Sequence, residues 1–251
     1  MRFSRVGLFV FLIGAGCASQ PQLVKIEKSQ YVFNRNEFAS ADSSFLNFIY
    51  PYKVKLDKEM YVVIGKTSQP LTKGQPESLL GNFVADLSMR EVEKKYQPDD
   101  GKKIDFCFLN NGGLRSELPG GEITQRNAFE VMPFENEYVI LTLSGNQVME
   151  ICNWIAGKGG VPVAGLRMKI NGGTPENILI RNQSFDINKN YIVITSDYLA
   201  NGGDNLFFLN DALKREYAGL KIRDAIIAYS SALLNKGEMI DPKLDKRISI
   251  E

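Results

Sequence analysis

Two stretches of this sequence carry side chains that could grip a ligand. The first, Asn110 to Asn136, reads NNGGLRSELPGGEITQRNAFEVMPFEN, and the second, Ser196 to Asn205, reads SDYLANGGDN. Each follows an apolar, strand-forming run, Ile104 to Leu109 and Tyr191 to Thr195. The glycine pairs Gly112-Gly113 and Gly120-Gly121 let backbone approach a ligand closely. Arg115, just past the first pair, brings a fork of donors suited to an anion. Phe134, stiffened by Pro133 before it, offers an aromatic face. Asn110 can both donate and accept hydrogen bonds. Tyr198 and Asp204 put a ring and a carboxylate on the second loop. Together these suit a flat, polar, negatively charged ligand. Taken singly, each has a blander alternative: a solvated arginine, core aromatics, turn-forming Asn and Asp. Two strands that both end in Asn-Gly-Gly loops favour a site, because ligands gather at such strand ends in α/β proteins.

The chemistry that is missing is as informative. The 251 residues include no histidine, so no Ser-His or Cys-His nucleophile pair can be assembled from them. No catalytic residue and no metal ligand is expected. The start of a calcium loop at Asp186 fails because Tyr191 stands where the sharp turn needs glycine, and a strand follows. Gly157-Lys158-Gly159-Gly160 follows a helix and lacks the phosphate-loop pattern. Thirty basic residues against 29 acidic ones leave no basic excess for nucleic acid or a polybasic membrane contact. The 44% hydrophobic and 24% charged fractions are those of a globular protein, with room for one large domain or two small ones.

The N-terminus reads as a targeting segment. Arg2 and Arg5 precede a mostly apolar run, Val6 to Ile13, too short to span a bilayer, and then Gly14-Ala15-Gly16-Cys17. It is similar to a bacterial lipoprotein signal, which implies cleavage after residue 16 and lipid on Cys17; cutting after Ala18 by an ordinary signal peptidase is the alternative. The expected protein is thus an exported, membrane-anchored lipoprotein with residues 1–16 as signal, 17–30 as tether and 31–251 as the folded domain. Cys107 in a strand and Cys152 in a helix read as buried free thiols.

Elements must position those loops. A strand is predicted near Tyr31 to Phe33, then helical spacing from Ser43 to Leu56 that Pro51 would bend or interrupt, then a buried strand from Met60 to Gly65. Glu77 to Tyr96 is the strongest helix, with Leu79, Leu80, Phe83, Val84 and Leu87 on one face and Val92 well off it. Strands follow at Lys103 to Leu109, Tyr138 to Leu143 and Tyr191 to Thr195. Thr124 and Ser144 are expected to cap helices reaching Val131 and Ala156. Val163 to Ile170 and Asn177 to Ile180 read as a hairpin turning at Asn171-Gly172-Gly173. A helix from Leu220 to Leu234 and an edge strand at Lys246 to Ile250 close the chain. The class is α+β, mixed sheets with packed helices.

In order, the segments ESLLGNFVADLSMR (77–90), NNGGLRSELPGGEIT (110–124), VMPFENEYVILTLSGNQVMEI (131–151), VAGLRMKI (163–170) and DYLANGGDN (197–205) resemble the C-terminal, substrate-binding domain of the 5′-nucleotidases and UDP-sugar hydrolases. That resemblance implies a nucleotide base held between Phe134 and Tyr198, the latter where Phe is common. It implies Asn110 at the base edge, Asp204 on the ribose hydroxyls, and Arg115 facing phosphate beside Gly112 and Gly113. Where some relatives have another phosphate-facing arginine this chain has Pro76, with Lys73 nearby. The family's large N-terminal metallophosphatase domain, which binds two metals through His, Asp and Asn, finds no room before residue 40. The expectation is therefore a split 5′-nucleotidase, with divalent metals on a separate metallophosphatase subunit. The rivals are a surface protein that binds nucleosides or nucleotides without hydrolysis, and a scaffold that binds nothing.

Overall fold

The computed structural model describes Lys25, Lys28 and residues 43–96 and 103–251. The signal segment, Cys17, most of the tether and the strand expected at Tyr31 to Phe33 lie outside them. The chain divides into two units, 1–49 and 50–251; what is described of the first is the two lysines and the opening of one helix.

In chain order the elements are α1 (Ser43–Met60), β1 (Val63–Thr67), α2 (Leu79–Lys95), β2 (Phe106–Phe108), β3 (Gly121–Thr124), α3 (Gln125–Val131), β4 (Glu137–Ser144), α4 (Gly145–Gly157), β5 (Val163–Ala164), β6 (Leu166–Asn171), β7 (Thr174–Ile180), β8 (Gln183–Ser184), β9 (Asn190–Ser196), α5 (Asp197–Ala200), β10 (Lys214–Lys221), α6 (Ile222–Asn235) and β11 (Ile248–Ile250). The α+β expectation holds. A central five-stranded sheet runs β10-β4-β9-β2-β5, a four-stranded sheet runs β11-β6-β7-β8, and β1 pairs with β3. No helix among the described residues is long and apolar enough to cross a membrane.

Apart from its edge strand β10, the central sheet is buried on both faces, and its strands alternate between two cores as the period of two requires. Cys107, Tyr138, Ile140, Ile192 and Ile194 face one core with Leu80, Phe83, Val84 and Leu87 of α2 and Ala225 and Ile226 of α6. Phe106, Phe108, Val139, Leu141 and Val193 face the other with Val148, Ile151, Cys152 and Ile155 of α4. Cys107 and Cys152 are free and buried, and burial pushes the Cys152 thiol up to about 12.

Local chemistry sets most boundaries. Ser78 accepts from Gly81 N at 3.0 Å to start α2. Thr124 N donates to Asn127 Oδ1 at 2.9 Å before α3, and Ser144 N donates to Gln147 Oε1 at 3.0 Å before α4, both capping boxes.

Four expectations need correction. Of the bend or interruption expected at Pro51, the interruption does not occur: α1 continues through it, and none of its residues is buried, so a carbonyl left without its helical donor can bond water. The strand expected from Met60 starts at Val63, because pairing with Thr124 sets the register. Val92 is buried, since α2 packs on the sheet and on α6 together and needs a wider apolar arc than one stripe. The expected run Val163 to Ile170 breaks at Gly165, at φ +77°, where an added Cβ would lie 2.5 Å from Asp105 O; β5 stays in the central sheet and β6 founds the other. The edge strand β10 was not foreseen, its KREYAGLK sequence being poor in strand formers.

Candidate functional site

Topology gathers the site. Strands β2 and β9 are parallel neighbours, Phe106 against Val193 and Cys107 against Ile194. The loops after them therefore leave the sheet at the same end. Strand β4 is antiparallel to β9 with Tyr138 opposite Ser196, so the connection entering β4 arrives there too. Three segments distant in sequence meet: residues 110–115, 134–136 and 198–204.

They enclose a cavity of about 350 Å³ lined by Asn110, Gly112, Gly113, Arg115, Phe134, Asn136, Tyr198 and Asp204. All seven binding residues expected from sequence are there. The two rings are half exposed, Phe134 at 42% and Tyr198 at 46%, although both sit beside well-packed strands. An aromatic that is not used for packing leaves its face free for a ligand.

The polar groups hold one another in place. Asn110 Nδ2 donates to Asp204 Oδ2 at 3.0 Å, and Tyr198 OH donates to Asp204 Oδ1 at 3.0 Å. Asp204 O accepts from Trp154 Nε1 at 3.2 Å. Asp204 itself sits at φ 52°, ψ 28°, a left-handed conformation that Asp tolerates better than most residues. Gly203 is required by a close approach: a Cβ there would lie 2.5 Å from Tyr198 O and 2.6 Å from its ring. At Gly113 an added Cβ would lie 2.8 Å from Asn110 Oδ1, so a larger residue there would displace the Asn110 side chain. On the other side Arg115 Nη1 donates to Gly112 O at 3.3 Å, and its guanidinium carbon stands 6.0 Å from the Phe134 ring centre. Among the described residues that line the cavity, Arg115 is the one cation. The arrangement offers two flat faces, a carboxylate–amide pair beside Tyr198, and a guanidinium beside Phe134.

Several residues were not anticipated in these roles. Asn136 lines the cavity, and its signal was available: it stands two positions after Phe134, on the way into β4. Arg223 and Glu135 hold the Phe134 turn from below. Conversely, the glycine pair Gly120-Gly121 does not line the cavity; it leads into β3, which pairs with β1. Lys73 turns its ammonium to Leu114 O at 3.3 Å, and neither it nor Pro76 lines the cavity. Among the described residues no three His, Cys, Asp or Glu side chains are grouped to hold a metal ion.

Residues 63–214 match the family model described as 5′-nucleotidase, C-terminal domain. A 5′-nucleotidase of Vibrio vulnificus is 27% identical over 187 residues, covering 70% of this chain and 32% of that protein. The fold is shared with a 5′-nucleotidase precursor from Thermus thermophilus, at TM-score 0.70 and 22% identity over 85% of this chain and 44% of that one. It is also shared with the NAD nucleotidase of Haemophilus influenzae, at TM-score 0.63 and 18% identity over 84% and 41%. The chain spans about a third of the length of the curated relatives it matches.

Proposed function

The chain belongs to the family of 5′-nucleotidase C-terminal domains, and from that premise we propose that it is the nucleotide-binding half of a two-part 5′-nucleotidase. The observation that carries this reading is the meeting of two half-exposed rings, Phe134 and Tyr198, in one cavity with Asn110, Asp204 and Arg115. A nucleobase has two flat faces, and stacking contributes about 1–3 kcal/mol per base. Asp204 accepts from ribose hydroxyls, Asn110 meets the base edge, and Arg115 pairs with phosphate.

Hydrolysis of the phosphoester needs an activated water, and a pair of divalent metals supplies it in such chemistry. Any imidazole ligand of that pair has to come from outside these 251 residues, which contain no histidine. A separate metallophosphatase subunit is the proposed source. Lipid on Cys17 would hold the exported assembly at a membrane.

A second reading, capture of nucleosides or nucleotides without hydrolysis, is favoured by the phosphate side. Pro76 stands where some relatives place an arginine, and Lys73 is turned to a backbone carbonyl. Calorimetry with adenosine and AMP tests binding: heat with both is expected, and silence with both overturns each reading. Phosphate release from AMP only after addition of a metallophosphatase encoded beside this chain supports the two-part enzyme. No release with that partner leaves capture. Turnover by the purified, metal-supplemented chain alone, with contaminants excluded, sinks the division of labour.

A further inference from the structure

The turn that carries Phe134 is fastened along its whole length to the start of α6. Arg223 Nη1 donates to three successive carbonyls, Met132 O and Pro133 O at 3.3 Å and Phe134 O at 3.4 Å. Its Nη2 pairs with the Glu135 carboxylate, which also accepts from Lys221 Nζ at 2.5 Å. Ile222 N donates to Asn136 O at 3.0 Å. Five consecutive residues, two of which line the cavity, are thus held by three consecutive residues at the head of one helix.

Arg223 is 6% exposed, with its guanidinium carbon 4.1 Å from the centre of the Phe129 ring on α3. Burying a guanidinium carries a desolvation cost, and an apolar side chain of similar volume often stabilises a core as well or better. What an apolar residue cannot do is meet three carbonyls and a carboxylate with one rigid planar fork. The cavity side of the turn shows what this secures. The Phe134 ring is half exposed, so little packing holds it, and the backbone of the turn sets where the ring is rooted.

We propose that Arg223 is a positioning residue for Phe134: it fixes residues 132–136 against α6, so that the ring stands ready for the ligand before the ligand arrives. What the ring receives rests on the nucleotide reading above; that Arg223 fixes the turn does not. Preorganisation raises affinity by removing the ordering cost from the binding step.

The test compares Arg223→Lys with the unaltered protein in two measurements. An ammonium keeps the charge but gathers its donors on one nitrogen, in place of the two that reach the carbonyls and Glu135 separately. In the ligand-free variant, hydrogen exchange at the amides of Met132 and Ile222, which donate to Ala128 O and Asn136 O at the two ends of the turn, is expected to speed up about tenfold while α4 is unaffected. Unchanged exchange at those amides overturns the proposal. In adenosine titrations, Arg223→Lys is expected to weaken binding about tenfold with Phe134 present and less than about twofold when Phe134 is already alanine. Equal losses in both backgrounds mark a merely structural role and overturn it too. If the unaltered protein gives no signal with adenosine or AMP, the nucleotide reading falls and the exchange comparison alone decides on Arg223. Should Arg223→Lys not fold, Glu135→Ala removes an exposed side chain and frees Nη2. Exchange at the same amides should then rise about threefold, and no rise overturns the proposal.

Discussion

Asn110 Nδ2 donates to Asp204 Oδ2 across 3.0 Å, tying together the loops that leave two neighbouring parallel strands. Asp204 also accepts from Tyr198 OH, so one carboxylate sets the posture of an amide and a ring. Replacing Asp204 by Ala leaves both donors without their partner, which costs about 1–3 kcal/mol where they are desolvated. Asp204→Ala should weaken adenosine binding more than binding of 2′,3′-dideoxyadenosine. Calorimetric losses of equal size for both would remove the ribose role.

Phe134→Ala and Tyr198→Ala should each weaken adenosine binding by about 1–3 kcal/mol, the range for one base–aromatic contact. Because both rings are half exposed, thermal stability should fall little in either variant. Unaltered affinity in both would end the stacking model.

Arg115→Ala should harm AMP more than adenosine. A hydrogen bond to a charged group contributes about 1.5–3 kcal/mol, and that difference should separate the two ligands in parallel titrations. An identical loss for both would mean that Arg115 only braces Gly112 O and the Phe134 ring.

Gly203→Ala isolates the close approach beneath Tyr198. The added methyl would lie 2.5 Å from a backbone oxygen, so the turn or the ring must move, at a cost of about 1–3 kcal/mol by the measure of overpacked sites. Adenosine affinity should drop, whereas Gly157→Ala, whose new methyl meets nothing within 4 Å, should leave it unchanged. Equal behaviour of the two variants would show that the Tyr198 turn yields freely.

The Glu135 carboxyl is held down at about 2 by its hydrogen bonds from Lys221 and then Arg223. A depressed acid contributes stability above its unfolded value of 4.5 and loses it as pH falls toward the folded value. The stability advantage of the native protein over Glu135→Gln should therefore be full at about pH 6 and shrink between pH 4.5 and about 2. Denaturant midpoints across that window check it; an advantage that did not vary with pH would dissociate Glu135 from its two cations.

Much of the architecture was legible because it is written in local patterns. Caps at Thr124 and Ser144 mark helix starts by side-chain chemistry that acts within three residues. Near-continuous apolar runs along the central strands mark them as buried, and the Asn171-Gly172-Gly173 turn announces its hairpin. What failed was non-local. Val92 is buried because α2 meets two partners at once, and β10 is a strand because β4 offers it an edge.

The candidate site divides the same way. From sequence alone came the residue types and their two loops, since glycine pairs, a guanidinium, rings and a carboxylate state their chemistry wherever they stand, and the order of matching segments carried the family resemblance. Only the tertiary structure decided that the loops share one end of a sheet, that Asn136 joins them while Gly120 and Gly121 do not, and that Arg223 reaches back 89 positions to the Phe134 carbonyl. The reason is physical: side-chain chemistry is a property of each residue, whereas strand direction and register, which bring distant residues within hydrogen-bonding distance, are settled by pairing between segments that the chain order does not place together.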